Sequence, residues 1–305
     1  MAASGKPSRP PSKCAAVSQQ GASIVTGTSP TVRQRELGKR LRELRNQHDL
    51  TVGDVAERLA CSATKISGLE TGTRRPSPRD VRDLCALYDV DESTSAELVT
   101  IAREVREQGW WTQYDDLKLD PYIGLEHEAA AITCYSMYYV PALLQTESYA
   151  RAIIKAIAPK MDPAIHQQRV EARLRRQQLL EADSRPRYRL LLDEAVLYRR
   201  VGGSSLMAAQ LDKILEAVRD GKATVQVIPF DAGAHAAAES HFVLLEFDSN
   251  LPAVVFIEGL TGNQYLEREQ EIGRYREAID YLGDSALSPQ ASISRITELR
   301  AAYYG

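Results

Sequence analysis

Cysteine is scarce in this sequence. Four occur in 305 residues (Cys14, Cys61, Cys85 and Cys134), and no two form a C-x-x-C pair. That spacing argues against a disulfide framework, so reduced thiols in a cytoplasmic protein are expected. Cys61 and Cys85 fall at apolar helical positions and read as core residues. Long hydrophobic runs are absent as well: none approaches the ~18–20 residues that a membrane helix needs. Residues 1–30 lack the apolar core of a signal peptide, which argues against secretion. Catalytic signatures are equally thin. There is no phosphate-cradling glycine loop, and Gly202-Gly203-Ser204 lacks the G-x-S-x-G form of a hydrolase. His235-Ala-Ala-Ala-Glu239-Ser-His241 is not H-E-x-x-H, and six-residue spacing does not bring two imidazoles to one helical face. It reads as a loop whose histidines bond backbone or line a pocket. Glu126, Glu128, Asp193 and Glu194 have no partner legible in the sequence. No catalytic residue, metal or cofactor is therefore expected, and an enzyme is the remote alternative.

Charge is present but unevenly spread. The whole chain carries 38 Lys and Arg against 41 Asp and Glu, a net −3. Residues 1–90 hold 15 basic and 9 acidic side chains, or +6, which leaves −9 for residues 91–305. A basic first third suits phosphate, whereas the acidic remainder would be repelled by it and is suited to protein or small molecules. Residues 1–30 contain no acidic residue and are rich in Ser, Pro, Ala and Gly. They read as a disordered tail with weak DNA affinity through Lys6, Arg9 and Lys13.

The densest signal is Leu50 to Gly72, LTVGDVAERLACSATKISGLETG. Thr51 is placed to cap a helix running to about Leu59, in which Val52, Val55, Ala56 and Leu59 share one face. Ala60-Cys61 form a turn. Ser62 caps a second helix with Ile66 and Leu69 inward and Ala63, Thr64, Lys65 and Ser67 outward. Gly72 ends it as a C′ glycine. Two short amphipathic helices around a tight turn are a helix-turn-helix, whose second helix fits the major groove of DNA.

The segment resembles the XRE (phage repressor-like) family through T-x-x-x-x-A, S-x-x-x-I-S-x-x-E-x-G and the following R-x-P-S. The resemblance implies five helices: Arg33–Gln47, Thr51–Leu59, Ser62–Glu70, Pro78–Tyr88 and a last one near Ser95–Glu107. Placing the second helix in the major groove assigns roles by geometry. Ala63, Thr64, Lys65 and Ser67 would face base edges, with Lys65 the strongest reader. Arg74, Arg75 and Arg79 would hold phosphates, helped by Thr51 and Ser62. The chain departs from its relatives at three points. Ala60 stands where glycine is common, Val52 where glutamine contacts phosphate, and Gly68 where arginine is frequent. A modest grip on the DNA backbone follows, so dimerisation on a palindromic double-stranded operator is expected.

Beyond the helix near Ser95–Glu107, Trp110-Trp111 mark a linker over 108–120. Glu126 to Tyr139 reads as one helix ended by Pro141. Thr146 caps another over Glu147–Ala158, and Asp162–Ala182 forms a long amphipathic one with Ile165, Val170, Leu174 and Leu180 inward. Its arginines Arg169, Arg173, Arg175 and Arg176 read as a solvated face with pairs such as Glu171–Arg175. The period then changes from 3.6 to 2. Strands are expected at Arg187–Asp193, Thr224–Phe230, Phe242–Phe247 and Ala253–Ile257. Helices are expected at Met207–Arg219, Glu267–Leu282 and Ser288–Tyr303.

Blocks of helices and then strands imply an α+β domain with a small, mostly antiparallel sheet. The division that follows is a tail (1–30), a mainly α five-helix domain (31–107), a linker (108–120) and the larger α+β domain (121–305).

A second resemblance rests on Val140–Arg151, Leu192–Arg199, Val225–His235 and Phe242–Phe247, in that order. These are similar to the C-terminal domain of actinobacterial WhiJ-type XRE regulators, with Ala142 departing from the glycine usual after the proline. The resemblance implies a DNA-binding transcriptional regulator of development or secondary metabolism. It further implies an antitoxin-like partnership with a small protein of the BldB kind encoded in an adjacent gene. Trp110, Trp111, Tyr135, Tyr138, Tyr139, Leu143 and Leu144 would supply part of the partner surface. Two alternatives stand beside that reading. The same groups would line a pocket for a small effector, giving a small-molecule-responsive repressor, or would form the core of the second domain.

Overall fold

The computed structural model describes residues 32–105, 120–248 and 252–304. The expected tail, with Lys6, Arg9, Lys13 and Cys14, lies outside the described residues, as do Trp110, Trp111 and nearly all of the expected linker.

Five helices open the described chain: α1 (Val32–Gln47), α2 (Val52–Arg58), α3 (Ala63–Glu70), α4 (Pro78–Leu87) and α5 (Glu92–Glu104). Their boundaries follow from local chemistry. Thr51 and Asp54 form a capping box at α2, and Ser77 and Asp80 form another at α4. Ser62 caps α3, its Oγ accepting from the Lys65 amide. α5 starts three residues before the expected position because Asp91, not a later serine, accepts from the Thr94 amide. Leu37, Leu41, Val55, Ile66, Leu69 and Leu84 are among the side chains that close a core confined to these five helices. α1 and α3 meet closely at Gly38, where a Cβ would stand 2.6 Å from the Leu69 carbonyl oxygen.

The second part opens with α6 (Asp120–Glu128), followed by β1 (Ala131–Ser136), α7 (Glu147–Ile157) and α8 (Pro163–Arg176). Next come β2 (Arg187–Asp193), α9 (Ala195–Tyr198), α10 (Ser204–Arg219), β3 (Thr224–Ile228), β4 (Phe242–Glu246), β5 (Val254–Ile257) and β6 (Gln264–Leu266). Two helices, α11 (Glu269–Ser285) and α12 (Pro289–Tyr304), complete it. The six strands form one mixed sheet in the order β3-β2-β1-β4-β5-β6. β3, β2 and β1 run parallel, and β4, β5 and β6 add antiparallel pairings. The α+β expectation holds, with three antiparallel pairings and two parallel ones.

One expectation is corrected. The single helix proposed over Glu126–Tyr139 is α6 followed by β1. β1 lies inside the sheet between β2 and β4 and is buried along nearly its whole length. A strand covered on both faces is apolar at consecutive positions, so it lacks the period-2 signal that separates strand from helix. Asp162–Ala182 is likewise shorter than expected, with α8 passing into a 3-10 turn at Gln177–Leu180. The three-residue edge strand β6 was not anticipated.

The two sheet faces have separate cores. Ile132, Cys134, Tyr188, Leu190, Leu192 and Leu245 pack beneath helices that include α6, α7, α10 and α12. Tyr135, Leu191, Leu244 and Val255 alternate to the other face, against Ile272, Ile279 and Leu282 of α11. No helix among the described residues is long and apolar enough to cross a membrane.

Candidate functional site

Two sites stand out, one on each part of the chain. The first is the exposed face of α3. Ala63, Thr64 and Ser67 are exposed, while Ile66, Leu69 and Glu70 are buried. Buried Glu70 is clamped by Arg45, whose Nε and Nη2 donate to its two oxygens at 2.7 and 2.9 Å. Gln34 Nε2 donates to the Gly72 carbonyl at 2.8 Å. These bonds fix α3 against α1 at both its end and its flank. The turn before α3 holds Ala60 at φ 48°, and Gly72 closes the helix at φ 68°. Gly68 has a packing reason: a Cβ there would lie 3.1 Å from the Arg74 Cβ, where the Arg74 amide returns to the Gly68 carbonyl at 2.9 Å.

One expected DNA residue is placed differently. Lys65 does not point outward with Ala63 and Thr64. It lies one turn before Leu69 on the flank facing α4, and its Nζ meets Asp80 Oδ1 at 2.6 Å. Burial works to raise the Asp80 carboxyl, but hydrogen bonds from Lys65 and Ser77 outweigh it and hold Asp80 below the usual carboxylate range. Exposed Thr51 makes the expected cap, its hydroxyl donating to Asp54 Oδ2 at 2.6 Å and accepting from the Asp54 amide at 3.2 Å. Ser62, Arg74, Arg75 and Arg79 are exposed around α3 and the start of α4.

The second site is a cavity of about 300 Å³ in the other part. Its floor is the sheet face of Ile132, Cys134, Ser136, Tyr188, Val243 and Phe256, and α6, α7 and α8 form much of its wall. α8 contributes Arg169, Arg173 and Arg176, at i, i+4 and i+7 on one side. The expectation of a solvated arginine face is thereby corrected for these three. They share the helix face of Ile165 and Ala172, and that mixed spacing was the legible signal. Val170, expected inward, is buried as well, so α8 is covered over a wider arc than its apolar stripe alone implies.

Arg176 and Glu126 form a bidentate pair, Nε to Oε2 at 2.8 Å and Nη2 to Oε1 at 2.7 Å. The Tyr122 hydroxyl donates to the same carboxylate at 2.8 Å, and the guanidinium lies over the Tyr122 ring. Tyr139 donates to Glu258 Oε2 at 3.1 Å. Arg173 Nη1 donates to Gln145 Oε1 at 3.1 Å. Burial, with Arg176 close by, pushes Arg173 down to about 10, so it stays charged at neutral pH. His241 also lines the cavity, with its ring against Tyr138 and its Nε2 buried without a hydrogen-bond partner. Burial lowers its pKa, against the pull of Glu258, and so favours the neutral imidazole.

Of the described residues expected to offer a partner surface, most are core, as the core alternative has it. Tyr135 is fully buried in the second sheet core, and Leu143 and Leu144 are buried as well. Tyr139 is partly buried against the first sheet core. Among the described members of that set only Tyr138, 43 % exposed, faces solvent. Tyr135, Tyr139 and Leu143 instead border the cavity. His235 is separate, its Nε2 lying 3.4 Å from the Tyr135 hydroxyl and 3.9 Å from Asp193 Oδ2. Among the described residues no group of three or more His, Cys, Asp or Glu side chains is arranged to hold a metal.

α6 connects the two parts. It carries Tyr122 and Glu126 in the cavity wall and ends at Glu128, which burial pushes up and the facing Arg33 of α1 pulls down. Arg35 of α1 also pairs with Glu267, just after β6.

Comparison with known proteins gives two matches. A family model described as a domain of unknown function (DUF5753) matches residues 119–298, more than half of the chain. Another, described as a helix-turn-helix domain, matches residues 36–98. No curated protein and no solved structure matches the chain.

Proposed function

The chain belongs to the DUF5753 family and carries a helix-turn-helix domain, and we propose that it is a transcriptional regulator whose second domain reads a small effector. The domains are taken as 31–107 and 121–305. The observation that carries the reading is the cavity, which is of ligand size and is walled by the helix that also reaches α1. Ala63, Thr64 and Ser67 read base edges, and Ser62, Arg74, Arg75 and Arg79 hold phosphates. Lys65, tied to Asp80, orients α3. Two copies bind a palindrome, with half-sites about 10 base pairs apart. An effector acts by binding the DNA-competent and incompetent states with different affinity.

Selection of bound sequences from random duplex DNA tests the reading. A palindromic motif is expected, and recovery without any enriched motif would overturn sequence-specific regulation.

A small partner protein is the second reading. It is favoured by Tyr198 and Phe230, two exposed rings with centroids 5.5 Å apart on the surface of the second domain. Co-elution with the product of a neighbouring small gene, lost on Phe230→Ser, would establish that input instead. Regulation of development or secondary metabolism, and an antitoxin-like role, belong to this second reading.

A further inference from the structure

We propose that the cavity takes a small organic monoanion, its charged end held by Arg173 and its apolar body laid between α8 and the sheet. The inference rests on the effector reading above and names the chemistry of the ligand.

Charge is the first support. Among the described residues the cavity is lined by Arg169, Arg173 and Arg176 and by Glu126 and Glu258. The Arg176–Glu126 pair is closed, with both carboxylate oxygens and the Tyr122 hydroxyl already engaged. Glu258 accepts from Tyr139. Arg173 is different. Its hydrogen bond goes to a neutral amide oxygen, and Glu258 attracts it through space without a direct ion pair among the described residues. A guanidinium has five donors, and one desolvated in a cavity without a carboxylate hydrogen-bonded to it costs stability that a bound anion restores. A carboxylate or phosphate matches its planar fork in a bidentate way.

Shape is the second support. Ile132, Val243 and Phe256 offer apolar floor, and Ile154 offers apolar wall. The volume of about 300 Å³ holds on the order of ten waters, which corresponds to a ligand of roughly 10–15 non-hydrogen atoms. The unpartnered His241 Nε2 supplies one further polar contact at the wall.

The test uses the full chain and matched probes that share a body and differ in head group: 4-phenylbutyrate, 4-phenylbutanamide and 4-phenylbutylamine, with octanoate and octanamide. Binding is read by titration calorimetry and ligand-observed NMR. The carboxylates are expected to bind at least about tenfold tighter than their amides, and the amine not at all. Arg173→Gln should remove the preference and Arg173→Lys should keep most of it. Without ligand, Arg173→Met should melt at or above the wild-type temperature, since it removes a desolvated charge. A lower melting temperature would mean that Arg173 is structural, which overturns the proposal. Amides that bind as well as carboxylates, or a preference that survives Arg173→Gln, would overturn the anion inference while the effector cavity stands. If no probe binds at millimolar concentration, the effector reading falls, and this inference with it.

Discussion

Ala60 shows how a single residue stores strain. It adopts φ 48° in the turn between α2 and α3, where an L side chain costs about 1–2 kcal/mol. Glycine at this position would relieve that cost and lose some to chain entropy. Ala60→Gly is therefore expected to raise stability by about 0.5–1 kcal/mol, measured by urea unfolding. Gly38 is the opposite case, because Gly38→Ala drives a Cβ against the Leu69 and Glu70 carbonyls and should cost about 1–3 kcal/mol. Asp80 gives a pH dependence of defined sign. Its folded pKa is depressed, so its stabilisation is fully present above the ordinary aspartate value of about 3.9 and is lost as pH falls through the lower folded value. Asp80→Asn should flatten the acid limb of the stability curve below about pH 4. An unchanged acid limb would show that Lys65 and Ser77 do not stabilise the carboxylate.

At the scale of elements, α3 and α8 differ in how far their own residues specify the buried face. The inward set of α3 was legible because Ile66 and Leu69 are apolar and Thr51, Ser62 and Gly72 punctuate the motif by local backbone chemistry. Only the direction of Lys65 was missed, since the partner that turns it, Asp80, lies across the α3–α4 contact. On α8 the apolar set was legible, with Val170 buried, but the inward arginines were not, because the cavity buries charge. Helical periodicity treats arginine as solvent-facing, and nothing local says that Arg176 will meet Glu126, fifty residues earlier. β1 was misread for the reason that applies to any strand covered on both faces. For α3 two outcomes are expected. Thr64→Ala should relax preference at one base position, at about 1–3 kcal/mol on the preferred sequence. Arg75→Ala should weaken binding equally on all sequences and lower the salt slope by about 1. Anisotropy titrations on matched and mismatched duplexes at several salt concentrations separate the two.

At the scale of the whole molecule, the helical core of residues 37–102 and the two sheet cores share no member. Scanning calorimetry should therefore resolve two transitions, and an anionic probe bound in the cavity should move only the one that belongs to the sheet domain. A single transition would mean that contacts such as Arg35–Glu267 make the two parts cooperative. What the sequence determined by itself is whatever depends on neighbours a few residues away. Capping, helical spacing and turn residues specify the helix-turn-helix, and alternation specifies the later strands. The tertiary structure alone decided the parallel half of the sheet, the burial of Tyr135, Leu143 and Leu144, and the inward arginines of α8. Each of these is set by groups brought together from distant positions. Burial and the dielectric around a charge are properties of that assembly, not of any local stretch of chain.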